Sequence, residues 1–294
     1  MKKWLLLWLL TLPLTAAAEL YVTIIQGLGG TDLYTDRFSE QTGKYTQALG
    51  ALTAKNRLKT LIGEQATRQN ILTHFQTLKK TLTAKDRIGM ILVGHGSYDG
   101  HEFKFNIPGP DLTGADIGAI MNAWPAQLQL LLVTSSASGA ILKELKQDNR
   151  IIITATRSGT ERNAPLFGVY FAAALADPAA DTDKNDTISA AEAYAYAERM
   201  TKDFYEGEGR LATEHPQLEG NKADQFQLAR LTPARPTSAT SPELARLDQR
   251  RQDLDQAIAD LRLRKDEFRD NDEYLIALQD LLLQLSEVEE QIEA

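Results

Sequence analysis

The sequence contains no cysteine, and this absence excludes whole classes of structure and chemistry. Disulfides, thiolate nucleophiles and cysteine-bound metals are impossible, so a packed core must stabilise the fold. The histidines are few and show none of the spacings typical of zinc sites; they are His74, His95, His101 and His215. Any metal site must therefore use these histidines or oxygen ligands.

Basic side chains are outnumbered by acidic ones, 32 against 40, which gives a formal net charge of -8. This balance argues against binding to nucleic acid, whose phosphates attract positive charge. Residues 242–294 alone hold seven Lys/Arg and fifteen Asp/Glu. Because most of the acidity belongs to that segment, the net charge says little about what the rest of the chain binds.

Long apolar runs are absent beyond the first eighteen residues, and those eighteen have the pattern of a secretory signal peptide. Lys2 and Lys3 precede an apolar stretch over 4–14, and residues 16–18, all alanine, stand before Glu19. The apolar stretch is too short to span a bilayer comfortably, which favours a cleaved signal over an anchor. We expect an exported protein, periplasmic or secreted, with no transmembrane segment after cleavage.

Residues 19–231 alternate short aliphatic or β-branched runs with longer segments of helical period, which predicts an α/β domain with a mostly parallel sheet flanked by helices. The predicted strands are Leu20–Gln26, Ile88–Val93, Leu128–Val133 and Ile151–Thr156. The predicted helices are Thr67–Leu82, one capped by Thr113 and Asp116 that runs to Trp124, Leu166–Leu175 and Ser189–Tyr205.

A segment rich in Pro, Ser and Thr, 232–242, has the composition of a linker. Beyond it, apolar residues recur at spacings of three and four over 243–294, with a turn and helix-cap signal at Asp270. This pattern predicts a C-terminal α-helical hairpin with coiled-coil-like packing. Three roles stay open for it: a structural brace, a partner or self-association module, and membrane-surface binding, which its negative charge disfavours.

Two predicted strands end in reactive side chains. Ile88–Val93 leads to His95-Gly96, and Leu128–Val133 leads to a cluster of hydroxyls that includes Ser136. Ligands of open α/β sheets collect at the carboxyl ends of central strands, so we expect these groups to face one cleft. The imidazole, the hydroxyl and the Gly96 and Ser136 N–H groups are the parts that acyl transfer needs.

At these residues the sequence resembles the clan of cysteine peptidases that includes caspases, gingipains and legumains, and is most similar to its bacterial legumain-like branch. In that clan a His-Gly pair follows one central strand and a cysteine follows the next. Here His95-Gly96 matches the first element, and Ser136 stands at the nucleophile position of the second. The resemblance covers roughly residues 20–220 and implies a caspase/hemoglobinase-like sheet.

Serine at this position changes the expected chemistry, because a hydroxyl needs a well-placed base where a thiol is already partly ionised. In the clan the histidine mainly serves the leaving group and is not tightly coupled to the nucleophile. The leading hypothesis is a peptidase homologue that recognises a peptide or protein with weak or no proteolysis. The alternatives are a serine-type peptidase or amidase that uses Ser136 and His95, an envelope assembly subunit that acts through the hairpin, and a loop whose polar groups only cap helices and turns.

An acidic loop over 181–192 has the spacing of a twelve-residue calcium loop. Oxygen ligands are expected from Asp181, Asp183, Asn185, Thr187, Ser189 and Glu192, with Thr187 offering its carbonyl. The departure is Asp186, which stands where glycine usually makes the sharp turn. We expect a structural Ca²⁺ here; the alternative is a solvated loop in which Asp181 or Asp183 caps the next helix.

Overall fold

A mostly parallel β-sheet with helices on both faces forms the centre of the α/β region. The computed structural model describes residues 18–231, 242–263, 265, 268 and 270–293. The strands within these residues are β1 (Leu20–Gln26), β2 (Leu58–Leu61), β3 (Arg87–Val93), β4 (Gly96–Tyr98), β5 (Phe103–Phe105), β6 (Leu112–Thr113), β7 (Leu128–Val133), β8 (Arg150–Thr154), β9 (Thr187–Ser189), β10 (Gln217–Glu219) and β11 (Gln227–Arg230).

The helices cover the sheet and extend beyond it. Within the described residues they are α1 (Asp32–Gly50), α2 (Arg68–Leu78), α3 (Gly114–Asn122), α4 (Leu142–Leu145), α5 (Phe167–Ala174), α6 (Ala190–Gly207), α7 (Pro242–Leu263) and α8 (Asn271–Glu293). In that part of the chain, no helix has both the length and the apolarity that crossing a bilayer requires.

Six strands form the main sheet in the order β10-β8-β7-β3-β1-β2, and only β10 runs antiparallel to its neighbour. The register aligns the carboxyl ends of the central strands: Gln26 lies opposite Val93, Leu92 opposite Val133, and Val133 opposite Thr154. Residues that follow β1, β3, β7 and β8 therefore meet at one edge of the sheet, where α/β proteins bind ligands.

Side chains of the central strands alternate between the two faces of the sheet, as the pleat requires. Ile24 and Ile91 join a core with α1, α5 and α6, whereas Ile25 and Leu92 join a second core with α2 and α3. Because both faces are covered, these strands are apolar along their whole length rather than at every second position.

Every strand and helix predicted within residues 19–231 is present, but several ends differ, and α1, α4, β2 and the short strands β4–β6 and β9–β11 were not predicted. Two of the misplaced ends have a common cause. The helix predicted to reach Leu82 ends at Leu78, although Leu82 is still buried at 7% exposure. The strand predicted to reach Thr156 ends at Thr154, whose hydroxyl donates to the Thr156 carbonyl (2.8 Å) as the chain turns. In both cases the apolar or β-branched pattern continued past the regular backbone.

Two small antiparallel sheets flank the main one. β4, β5 and β6 form a three-stranded sheet directly after His95, and β9 pairs with β11. Helices α7 and α8 pack against each other, and Arg250 of α7 donates to Gln284 of α8 (2.7 Å). Residues 1–17 and 232–241, which include most of the predicted signal peptide and linker, lie outside the described residues.

Candidate functional site

His95 stands two residues beyond β3 and is held from one side. Its ring packs edge-on against Tyr34 and Phe38 of α1, with centroids 4.6 and 5.0 Å away. Its Nε2 lies 3.2 Å from the Gly29 carbonyl, which only accepts, so Nε2 carries the hydrogen of this bond. In the neutral ring Nδ1 is then the nitrogen without a hydrogen, and it accepts no hydrogen bond from the described residues.

Gly96 brings the segments after β3 and β7 together. A Cβ on Gly96 would lie 2.5 Å from the Ser135 Oγ and 2.6 Å from the Ser136 carbonyl oxygen, so the two backbones touch here. The glycine is required for this approach rather than for an unusual backbone angle. The predicted convergence of His95-Gly96 with Ser136 is therefore found at the level of the chain segments.

Ser136 is 4% exposed, yet its hydroxyl reaches solvent and has no hydrogen-bond partner among the described residues. Nor does any hydrogen bond within those residues join Ser136 to His95. The polar groups around Ser136 include the hydroxyl of Ser135, which donates to the Ser136 carbonyl (3.2 Å). The hydroxyl at the predicted nucleophile position thus belongs to a nearly buried residue and is not activated by a bonded base.

Two backbone N–H groups of the touching segments, those of Gly96 and Ser136, have no acceptor among the described residues. The Asn106 N–H donates to the His95 carbonyl (3.0 Å), which makes Gly96 and Phe105 a non-hydrogen-bonded pair of the β4–β5 hairpin. The Gly96 N–H is therefore outside that ladder, and the Ser136 N–H finds no acceptor among the described residues. Backbone donors without an acceptor are able to bind a carbonyl oxygen or an anion.

The remaining hydroxyls of the 134–139 loop hold the loop in place. Ser138 and Thr156 contact each other through their hydroxyls (3.2 Å), and the Gly139 N–H donates to the Thr156 Oγ1 (2.9 Å). Ala137 takes a left-handed backbone (φ 56°) and donates its N–H to the Glu161 carbonyl (2.8 Å). These contacts fix the backbone on both sides of Ser136.

A carboxylate and an imidazole form a pair next to the 134–139 loop, whose Ala137 N–H donates to the Glu161 carbonyl. Glu161 accepts from the His215 N–H (3.1 Å), contacts His215 Nδ1 (2.6 Å) and pairs with the Arg157 Nε (3.0 Å). The Glu161 side chain is 10% exposed, and that of His215 is 39% exposed. His215 also lines a surface cavity of ≈ 720 Å³ between α6 and the 210–217 loop.

Glu214 is a buried carboxylate that the sequence did not identify as a structural or functional group. It accepts from the Leu166 and Phe167 N–H groups (2.8 and 3.0 Å) and from the Tyr205 hydroxyl (3.0 Å), at the N-terminus of α5. Burial nevertheless raises the pKa of Glu214 above its usual range, although Arg37 and these hydrogen bonds act in the opposite direction. Because Glu214 and Leu166 are 48 residues apart in the sequence, no local sequence pattern predicts their hydrogen bond.

The acidic loop makes a tight turn. Asp186, at the position where glycine is usual, takes φ 60°, so the turn forms despite its side chain. Asp181, which is buried, accepts from the Asn185 and Asp186 N–H groups (both 3.1 Å). Carboxylate oxygens of Asp181, Asp183 and Glu192 all lie within 4.8 Å of one another.

Other predicted ligands of this loop also have structural roles. Ser189 caps α6 and forms a reciprocal capping box with Glu192, whose other oxygen accepts from Thr182 (2.9 Å). Asn185 accepts from the Thr187 N–H (2.8 Å). Helix capping therefore falls to Ser189 rather than to Asp181 or Asp183, so the predicted alternative was wrong about the capping residue.

The pKa values of two loop carboxyls are shifted in opposite directions. Burial, with the charges of Glu192 and Asp181, raises the pKa of Asp183. Burial also acts to raise the pKa of Glu192, but hydrogen bonds from Ser189 and Thr182 outweigh it and lower that pKa. Close like charges of this kind are relieved by a bound cation.

Comparisons with known proteins identify no family for this chain. No family model matches it, and no curated protein does. Among solved structures, protein GSU0716 from Geobacter sulfurreducens is similar over 73% of this chain and 98% of its own, with 13% sequence identity and a TM-score of 0.49.

Proposed function

We propose that this chain is an exported, legumain/caspase-like protein whose cleft recognises a peptide or protein segment with weak or no proteolysis. The caspase-like assignment rests on His95-Gly96 and Ser136, which follow the neighbouring strands β3 and β7 as the resemblance requires. The close approach of Gly96 to the Ser136 carbonyl supports a shared cleft at the carboxyl edge of the sheet.

Recognition needs groups that a peptide can contact, and the cleft offers them. The N–H groups of Gly96 and Ser136 have no acceptor within the described residues, so both are free to donate to a peptide carbonyl. Leu28 and Ile62, exposed at 47% and 46%, line a neighbouring cavity of ≈ 350 Å³ at the ends of β1 and β2. A bound segment gains both hydrogen bonds and apolar contact there.

One observation carries the proposal of weak or absent cleavage: the Ser136 hydroxyl has no hydrogen bond to His95 or to another acceptor in the described part of the chain. A serine attacks an amide only when a base takes its proton. Without that base, the pocket binds a peptide carbonyl but does not activate the nucleophile.

A serine-type peptidase or amidase is the second candidate, and the orientation of His95 favours it. Because the Gly29 carbonyl takes the Nε2 hydrogen, Nδ1 of the neutral ring is the basic nitrogen. A shift of either side chain on substrate binding that brings Nδ1 to the Ser136 hydroxyl would assemble a nucleophile and base. Catalytic hydrogen bonds are often long in unliganded structures.

Replacement of the hydroxyl by a thiol separates the two candidates. The chain from Glu19 onward is compared with Ser136→Ala and Ser136→Cys, with a fluorophosphonate probe and a library of fluorogenic peptide amides. Ser97→Cys, at an exposed position of β4, is the matched control for a new thiol. We expect no labelling of the wild type and at least about tenfold faster hydrolysis by Ser136→Cys, because a thiolate needs no bonded base.

The opposite result supports the second candidate. Labelling of the wild type that disappears in Ser136→Ala identifies a working serine nucleophile. If Ser97→Cys hydrolyses the library as fast as Ser136→Cys, position 136 is not a nucleophile site, and the recognition proposal loses its cleft.

We further propose that the 181–192 loop binds a structural Ca²⁺. Asp181, Asp183 and Glu192 supply clustered carboxylates, and the left-handed turn at Asp186 wraps the loop around them. Ca²⁺ prefers six to eight oxygen ligands, which the Asn185 side chain, the Thr187 carbonyl and water complete. Bound there, the ion would offset the repulsion that contributes to the raised pKa of Asp183.

The test is thermal unfolding of the full chain with Ca²⁺, with Mg²⁺ and with chelator. A site held at a hundredfold excess over its dissociation constant adds ~2.7 kcal/mol of stability, which should raise the melting temperature measurably. Asp183→Asn should abolish the Ca²⁺-dependent rise, whereas Asp148→Asn, at an exposed site elsewhere, should retain it. An equal rise in both variants, or none in the wild type, excludes the proposed site.

A further inference from the structure

Helix α8 is apolar on two separate faces. Tyr274 and Val288 are buried at 7% and 8% exposure on the face that packs against α7. A second set is exposed: Leu275 at 47%, Ile276 at 68%, Leu282 at 45% and Leu283 at 58%. At 100° per residue, the centre of this set lies roughly 160° around the helix from the centre of the first. The exposed stripe is therefore not part of the α7–α8 seam.

The stripe is a concentrated patch rather than scattered single residues. Among the described residues, eight large apolar side chains are exposed, and four of them lie on this one helix face. Gln279 and Ser286, both exposed, continue the same face, so the stripe extends over about three turns from Leu275 to Ser286. Exposed apolar patches of this extent mark surfaces that bind other molecules.

The charge around the stripe restricts what binds it. Residues 271–293 contain seven acidic and no basic side chains. Asp280 and Glu287 flank the stripe, and Asp272 and Glu290 lie near its two ends. A second α8 would bring like charges together, and an anionic membrane would repel the same acids. A basic amphipathic helix would match both the apolar stripe and the acidic border.

We propose that the outer face of α8, from Leu275 to Ser286, docks a basic amphipathic helix of a partner protein. The partner inserts its apolar side chains between Ile276 and Leu283, and its Lys or Arg side chains pair with Asp280 and Glu287. This surface is separate from the cleft at Ser136, so the proposal holds whether or not that cleft binds a peptide.

The test uses the full chain and a two-heptad amphipathic peptide of Leu and Lys, with binding followed by fluorescence anisotropy. Reference peptides are a scrambled Leu/Lys peptide and a Leu/Glu peptide of the same pattern. The double variant I276Q/L283Q removes the centre of the stripe, and both positions are exposed, so the fold should be retained. Leu33→Gln, at a 74% exposed position of α1, is the matched control.

We expect the Leu/Lys peptide to bind the wild type and L33Q equally, and I276Q/L283Q at least about tenfold more weakly. Affinity of the wild type should fall as salt is added, because the charge pairs are exposed and screened. D280N/E287Q should bind the peptide more weakly than the wild type, because it lacks the two acidic partners. Equal binding of the scrambled or Leu/Glu peptide, or unchanged binding by I276Q/L283Q, would overturn the proposal. So would a dimer in light scattering that I276Q/L283Q dissociates, since a second copy would then cover the stripe.

Discussion

Gly96→Ala tests whether the segments after β3 and β7 are in the contact described above. The new methyl would lie 2.5 Å from the Ser135 Oγ, 2.6 Å from the Ser136 carbonyl oxygen and 2.8 Å from the Phe103 ring. One of these atoms belongs to the backbone, and Phe103 is buried at 2% exposure, so little room exists for relaxation. Overpacking of this kind costs about 1–3 kcal/mol of unfolding free energy.

Gly43→Ala is the matched control, because the same methyl is added where it meets nothing. Gly43 is an exposed position inside α1, and a Cβ there would have no described atom within 4 Å outside its own stretch of helix. Alanine favours a helix over glycine by roughly 0.5–1 kcal/mol, so this variant should be more stable than the wild type. The two substitutions should therefore change stability in opposite directions.

Urea unfolding measured by circular dichroism gives both free energies, and thermal melts give a second measurement. For domains of this size, 1 kcal/mol shifts the melting temperature by about 2–4 °C. We expect Gly96→Ala to lower the melting temperature and Gly43→Ala to raise it. If Gly96→Ala is as stable as the wild type, the two segments are not in contact, and the shared cleft on which the proposed function depends is refuted.

Two further predictions concern buried polar groups. Burial, with a smaller effect of Lys59, lowers the pKa of His74, which contacts the Thr23 hydroxyl (2.9 Å). The stability that His74 contributes should therefore be full above its unfolded pKa of ~6.5 and decrease as the pH falls below that value. In urea unfolding at pH 7.5 and 5.5, His74→Gln should lose less stability between the two pH values than the wild type, and an equal loss would contradict this assignment. Arg150→Met removes a buried guanidinium that donates to the Leu145 carbonyl (2.6 Å) and should cost roughly 1–3 kcal/mol in the same assay, because acceptors lose their donor; an unchanged midpoint would show that these hydrogen bonds add no net stability.

Local patterns were sufficient for the elements whose burial follows their own sequence. Leu20–Gln26 and Leu128–Val133 were predicted residue for residue, because both faces of these strands are covered and the apolar run equals the strand. The end of α2 was misplaced because Leu82 is buried without being helical. The spacing of apolar residues indicates which side chains are buried. The hydrogen-bonded helix can end before that spacing does.

The candidate site was only partly predictable for a related reason. The order of strands placed His95 and Ser136 at one sheet edge, but the bond from His95 to Gly29 spans 66 residues and has no local signature. The same holds for Glu214 at the start of α5. Spacing alone identified the acidic loop, since its carboxylates lie within twelve consecutive residues.

The contacts that stabilise the 134–139 loop do not depend on the side chain at position 136. A Cβ on Gly139 would lie 2.2 Å from the Arg157 carbonyl carbon and the Ser158 nitrogen, so this loop is held by backbone packing against the segment after β8. None of the hydrogen bonds that hold it uses the Ser136 hydroxyl. Substitution of the Ser136 side chain therefore removes none of the hydrogen bonds that hold this loop, whereas any side chain at Gly139 would collide with the backbone after β8.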